Sequence, residues 1–339
     1  SVYYNTSSDT AFISDGSSWN AFTNLPPEPT AGTQSLSGQD TIAFTSHNID
    51  NDFSDDSNLS SELVYSLFSG SLPPGITISG NLLSGTPTSA GSYTFGITAT
   101  DTNGAVGSAK NYSFTVIAAP FSASGGTVYT SGGYKYHKFT SSGTLSVTGI
   151  AGAPNAEVLI IAGGGGGGRD DYAGGRGAGG GGAGGLIAPQ TINNMTSSLT
   201  IVIGGGGTNS GGNGAAGTQG GNTTVTGLTT AIGGGGGGSH STASNLDNDT
   251  SGGSGGGASN GRTGSPGTSG QGNSGGNGAA GGPYGGGGGG GKNQSGASSS
   301  GGAANGGNGT NSYNVWASAT SSGDSGHFAG GGAGGGKNA

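Results

Sequence analysis

The sequence predicts an all-β protein: an N-terminal hairpin, a β-sandwich, then a second β-sandwich platform carrying packed polyglycine II helices, with essentially no α-helix. Three observations predict it. Residues 37–119 repeat a two-residue alternation of apolar and polar side chains. Further along, "AEVLIIAGGGGGG", "SLTIVIGGGG" and "NTTVTGLTTAIGGGGGG" each run from an apolar stretch into glycine. Finally, 86 of the 339 residues are Gly and only 7% are charged. Ordinary soluble domains carry about 7% Gly and roughly 25% charged residues.

The elements follow in order. Residues 1–24 read as two short strands around a polar turn, with Asp15-Gly16 as a second turn signal. They resemble the small "YYNT…DGSSW" hairpin unit of phage tail and fibre proteins. "LPPEPTAG", within 25–36, reads as a stiff proline linker. In residues 37–119, Tyr93, Phe95, Ile97 and Ala99 alternate with small polar residues, as do Tyr112, Phe114 and Val116, and Leu63, Tyr65 and Leu67. A period of two means one buried face and one wet face, the signature of an antiparallel sandwich. The string "LPPGITISGNLLSGTPTSAGSYTFGITATD" (72–101) closely resembles an Ig-like, cadherin-like repeat of bacterial and phage surface proteins. That resemblance implies a spacer or binding module without catalysis.

Residues 120–238 begin with "GYKYHKFTSSGTLSVTGI", expected as a hairpin turning at Ser142-Gly143. "AEVLIIA" (156–162) has the continuous apolar character of a strand covered on both faces, and Leu199, Ile201 and Ile203 alternate. Residues 239–339 form a looser glycine-rich region with exposed loops. Collagen is rejected, because only Pro189, Pro266 and Pro283 fall after residue 160 and glycine is often continuous. The polyproline II geometry, three residues per turn with its N–H and C=O groups pointing outwards, fits instead. Ordering a residue costs about 1–2 kcal/mol, while a net hydrogen bond returns roughly 1 kcal/mol. A lone glycine helix therefore fails, whereas a stack with every peptide group paired and strands anchoring its ends can stand. Residues 134–238, with the tail beyond them, resemble the glycine-rich domain of phage tail fibres and tail-tip adhesins. The resemblance implies β-strands plus packed polyglycine II helices, with loops between glycine runs that contact the host surface.

Composition excludes several classes. The chain has 8 Lys+Arg against 16 Asp+Glu, which argues against nucleic acid or an anionic membrane as partner. It has no Cys, and no apolar run reaches the length needed for membrane insertion. Interruptions among the glycines carry the candidate receptor contacts: Arg169, Tyr172 and Arg176 in the first, His240 in the second, and Tyr313, Trp316, His327 and Phe328 in the third. Rigid aromatics on loops suit recognition; plugging a core or forming a lateral subunit contact is the alternative for Val315, Trp316 and Phe328. Asp50, Asp52, Asp55 and Asp56 form an acidic loop, solvated by default, that could hold calcium. "GGGGGGK" (286–292) imitates a phosphate loop, but Asn293 stands where a magnesium-binding hydroxyl belongs. No cofactor and no catalytic grouping is expected. The expected function is a non-enzymatic virion appendage protein, extracellular, with a host receptor (glycan or outer-membrane protein) and other appendage proteins as partners. It is expected as a homo-oligomer, trimers being common in such proteins. The alternative is a subunit of a structural filament, capsid fibre or cellular surface adhesin with glycine-rich packing between subunits.

Overall fold

The computed structural model describes residues 2–5, 10–14, 16–22, 24–56, 59, 62–169, 177–209, 214–240 and 250–336. The protein is nearly all β, with one α-helix and one 3-10 turn (Ile49–Asp52) among the described residues. Two compact units divide it: residues 1–121 with 148–152, and residues 122–147 with 153–339.

In the first unit, β1 (Val2–Asn5), β2 (Thr10–Ser14) and β3 (Trp19–Phe22) form an antiparallel meander. The proline stretch is not a free linker. β4 (Glu28–Pro29) pairs with a later strand at Phe53–Ser54, Pro27 is fully buried, and Thr30 accepts two bonds from Lys110 Nζ at 2.8 Å. Next come β5 (Gln34–Gln39), β6 (Phe44–Asn48), β7 (Phe53–Ser54), β8 (Val64–Gly70), β9 (Ile76–Ser79), β10 (Leu82–Gly85), β11 (Gly91–Thr100) and β12 (Lys110–Ile117). One sheet has the order β5-β12-β11-β8 and the other β6-β10-β9, with β5 parallel to β12. Between them sits the core, including Ile49, Leu83, Ile97 and Phe114, all buried. Phe95 stacks on Tyr112 at 5.1 Å.

The punctuation residues now have physical reasons. Pro73 and Pro87 are fully buried. Gly75 (φ +87) and Gly85 (φ +134) lie in the left-handed half of backbone space, where a Cβ would also strike neighbouring backbone. Asp101 accepts from Asn103 N at 2.8 Å, Ala105 N at 2.9 Å and Asn24 Nδ2 at 2.6 Å, which ties the turn. One alternation fails. Leu67 is exposed although it pairs with buried Ile97; it lies on the edge strand β8, next to the register shift between Gly96 and Ile97.

The second unit contains β13 (Ser122–Ser124), β14 (Thr127–Ser131), β15 (Tyr134–Lys138), β16 (Gly143–Thr148), β17 (Ala156–Ile161), β18 (Leu186–Ile192), β19 (Leu199–Val202), β20 (Thr224–Val225) and α1 (Asn314–Thr320). The expected hairpin at Ser142-Gly143 is overturned. The chain turns at Gly132 (φ +57) and Gly133 (φ +80), joining β14 to β15, and β16 pairs with β19 instead. Two consecutive positive φ values suit a two-residue hairpin loop, and only glycine supplies both cheaply. β17 is a strand, but of its residues only Ile160 is buried, so both-face coverage does not hold along its length.

The glycine runs form a lattice, and their hydrogen bonds repeat every third residue. In the run at 285–291, Gly286 and Gly289 donate to Gly335 and Gly332, Gly287 and Gly290 to Ala258 and Gly255, and Gly288 and Gly291 to Ala297 and Gln294. Its carbonyls accept in turn: Gly287 and Gly290 from Gly180 and Ala183, Gly288 and Gly291 from Gly276 and Asn273, and Gly289 from Gly307. A helix of three residues per turn with N–H and C=O rows alternating around its axis is polyglycine II. A Cβ at any position from 286 to 291 would fall within 3.0 Å of a neighbouring run's backbone. Glycine is here a packing requirement.

Candidate functional site

The hydrogen-bond register sorts the interruptions between two ends of the lattice. Ala162 N–H bonds to Gly185, and Lys292 N–H bonds to Ala329, so these mark the end where strands attach. Arg169 N–H bonds to Ala215 and Gly177 N–H to Tyr284, which mark the opposite end. Seven residues at about 3.1 Å each separate the two by roughly 22 Å. Tyr313, Trp316, His327 and Phe328 lie at the strand end, with Phe328 bridged to Thr310. Arg169 and His240 lie at the other. The structure therefore does not bring the predicted contacts into one surface.

What joins the third interruption is the β14–β15 hairpin. The register pairs Tyr129 with Tyr136, Ser131 with Tyr134 and Thr127 with Lys138. Alternation puts these six residues on one face, and α1 packs against it. Trp316 meets the Tyr136 ring edge-on at 6.1 Å, and Tyr136 lies 6.3 Å from Tyr134. Lys138 Nζ sits 5.1 Å from the Tyr129 ring centroid and donates to Thr320 O at 2.7 Å. α1 has no basic residue in its last turn, so Lys138 supplies from outside the cation that a helix C-terminus favours. Ser321 (φ 49) ends the helix in the left-handed region. Tyr134 is 70% exposed and Val315 65%, while Tyr313 and Trp316 are half-buried.

The result is an aromatic surface, with ring faces for apolar or stacking contacts and Lys138 supplying positive charge. Sequence reasoning missed the hairpin's part in it. The available signal was Tyr134 and Tyr136 at a spacing of two, followed by Lys138.

The remaining candidates are placed as follows. His327 is exposed and its Nδ1 lies 3.2 Å from Ser325 O; Phe328 is half-buried. Arg169 is exposed. His240, at the start of the second interruption, is 7% exposed. Tyr172 and Arg176 lie outside the described residues.

The acidic loop is engaged by protein donors. Asp52, 4% exposed, lies 2.6 Å from both His47 Nε2 and Tyr112 Oη. Asp50 accepts from Tyr65 Oη at 2.9 Å and from Asn81 Nδ2 at 2.6 Å. Burial, then these hydrogen bonds, push both tyrosine phenols above their ordinary range. Asp55 is half-buried and Asp56 exposed. Among the described residues, no group of His, Asp and Glu side chains has the arrangement of a metal site. The phosphate-loop mimic also has a structural explanation. Lys292 donates to the carbonyls of Leu186 and Gly270, and burial pulls its ammonium below the usual lysine range.

Known families match both units. A family model described as "Glycine-rich domain" matches residues 140–339, and one described as "Putative Ig domain" matches residues 28–117. A search of curated proteins finds no match. Among solved structures, an endo-fucoidan hydrolase from glycoside hydrolase family 107 is similar at 18% identity and a TM-score of 0.28. The overlap covers 68% of this chain and 33% of that one. So loose a likeness carries no argument about activity.

Proposed function

The chain belongs to the glycine-rich domain family, whose model spans residues 140–339, and from that premise we propose a non-enzymatic structural and receptor-binding protein of a virion appendage. The appendage is a phage tail fibre or tail-tip adhesin, outside the cell and joined to other appendage proteins. An Ig-like module and a glycine lattice are the parts such a protein needs: a spacer, and a rigid body whose surface does not depend on side-chain packing. The observation that carries the reading is the aromatic surface of Tyr134, Tyr136 and Trp316, held between a hairpin and the helix of a lattice interruption. Exposed rings fixed on a rigid base bind a host surface receptor at low entropic cost.

Adsorption tests this. The labelled chain is expected to bind host cells and to compete with the virus for them. Replacing Tyr134 and Trp316 by Ala should weaken binding about thirtyfold, the scale of one central anchor. Unchanged adsorption by that folded variant removes the surface from the site. The second reading, a filament or fibre subunit with glycine-rich packing between subunits, draws on the glycine lattice being held by main-chain pairing between runs. It expects the same rings to be buried in repeating contacts.

A further inference from the structure

Beside one run, the lattice leaves a position that the described residues do not fill. Around the run at 177–185, six directions alternate between N–H and C=O rows. Five are used. Gly177, Gly180 and Ala183 donate to Tyr284, Gly287 and Gly290, while Gly179, Gly182 and Gly185 donate to Gly238, Gly235 and Ile232. Carbonyls of this run accept from Gly332 and Gly335, from Ala162, Gly165 and Gly168, and from Ser254 and Gly257. The sixth direction belongs to the N–H groups of Ala178, Gly181 and Gly184. These donate to no group among the described residues, although Gly181 and Gly184 are buried. A buried amide proton without an acceptor costs about 1–3 kcal/mol and calls for an explanation.

A groove of about 400 Å³ lies over that row. Residues 161–167 wall one side and residues 329–333 the other. The same alternation turns the carbonyls of Ala162 and Gly165 towards the groove from one wall, and those of Gly330 and Ala333 from the other. None of these four accepts a bond from the chain's described residues. The groove therefore reads acceptor, donor, acceptor across its width. Its complement is an extended backbone reading donor, acceptor, donor.

The chain carries such a backbone at its own edge. The run at 204–207 is held by Gly207 N–H on Gly164 O and by Gly221 N–H on Gly205 O. The next three rows around its axis are Gly205 N–H, Gly206 C=O and Gly206 N–H, and none is used within the described residues. Both glycines are exposed. A Cβ on Gly205 would meet nothing within 4 Å, and one on Gly206 nothing nearer than 3.8 Å. Contacts among the described residues thus give no reason for glycine at these two positions, whereas close approach by a foreign backbone does.

We propose that the edge run at 204–207 of one copy docks in the groove of a second copy, completing its lattice through main-chain hydrogen bonds. Edge and groove are different surfaces, so the contact is head-to-tail and builds a ring or filament rather than stopping at a dimer. The proposal is independent of any receptor.

Sedimentation of the full chain across a concentration series tests it. Wild type is expected to form concentration-dependent assemblies, with the Gly181, Gly184, Gly205 and Gly206 amides gaining exchange protection together. Ala333→Arg obstructs the groove from an exposed wall position, and Gly206→Val obstructs the edge. Each should weaken assembly about a hundredfold while the dilute monomer's Tm stays unchanged. An equimolar mixture of the two variants should form a dimer and nothing larger, because one retains the edge and the other the groove. A wild type that stays monomeric, or assembly that persists in both variants, overturns the proposal. Protection of Gly181 and Gly184 already in the monomer also overturns it, since another segment of the same chain would then fill the groove.

Discussion

Replacing Gly289 by Ala adds one methyl group at the centre of the lattice. That Cβ would be driven into Gly181 C and O, and would lie 2.8 Å from Gly182 N, where ordinary contact begins at 3.4 Å. All three atoms are backbone, so the two runs must separate rather than a side chain turn aside. Five bonds at this crossing span 2.8–3.0 Å: Gly289 N–H to Gly332 O, Gly307 N–H to Gly289 O, Gly332 N–H to Gly181 O, Gly180 N–H to Gly287 O and Ala183 N–H to Gly290 O. Stretched by the same amount, they pass the limit of useful geometry. At about 1 kcal/mol net each, roughly 5 kcal/mol is lost. The stiffer unfolded chain returns about 0.4–1 kcal/mol. The expected net loss of about 4 kcal/mol lowers Tm by roughly 8–16 °C for a unit of this size. Calorimetry of the full chain measures it. Gly302→Ala is the control, since a Cβ there meets nothing within 4 Å; its Tm should hold or rise slightly. Equal Tm values for the two variants would refute the close-packed lattice.

Other predictions follow from single contacts. Lys138→Met removes the cation from Thr320 O while keeping the stem, so amides of α1 should exchange about tenfold faster with little change in Tm. Burial pushes the Asp101 carboxyl up, but hydrogen bonds from Asn24, Ala105, Asn103 and Gly104 outweigh it and leave it below the usual range. Its contribution to stability is thus present above the unfolded carboxylate pKa of about 4, and is lost as pH falls through the lower folded value. Asp101→Asn should flatten that acid limb in pH-dependent denaturation; an unchanged limb would refute the assignment. Calcium should leave the Ig-like unit's Tm unchanged, because donors already occupy Asp50 and Asp52. A calcium-dependent rise lost in Asp52→Asn would reverse that conclusion.

Much of this was legible in the sequence. Alternation at Phe95, Ile97 and Ala99, and at Tyr112, Phe114 and Val116, marks the core-facing side of β11 and β12. It reports burial directly, because successive strand residues point to opposite faces. The hairpin turns at Gly132-Gly133 and not at Ser142-Gly143, because the former supplies two consecutive positive φ values. The receptor candidates were harder. Loop order along the chain does not reveal which end of a lattice each loop occupies, since successive runs can lie parallel or antiparallel. Arg169 and Trp316 consequently fall at opposite ends, and Tyr136 joins Trp316 from a strand far away in sequence.

By itself, the sequence determined what each segment could become. Strand alternation dictates sheets, and long glycine runs, stripped of side chains, can gain stability only by pairing their peptide groups laterally. Tertiary structure alone decided which run lies beside which, and therefore which amides are satisfied, where the aromatic rings collect and where a groove remains. The physical reason is that glycine runs are nearly identical as partners. Their pairing is fixed by the lengths and anchors of the connecting segments, and becomes definite only once the whole chain is folded.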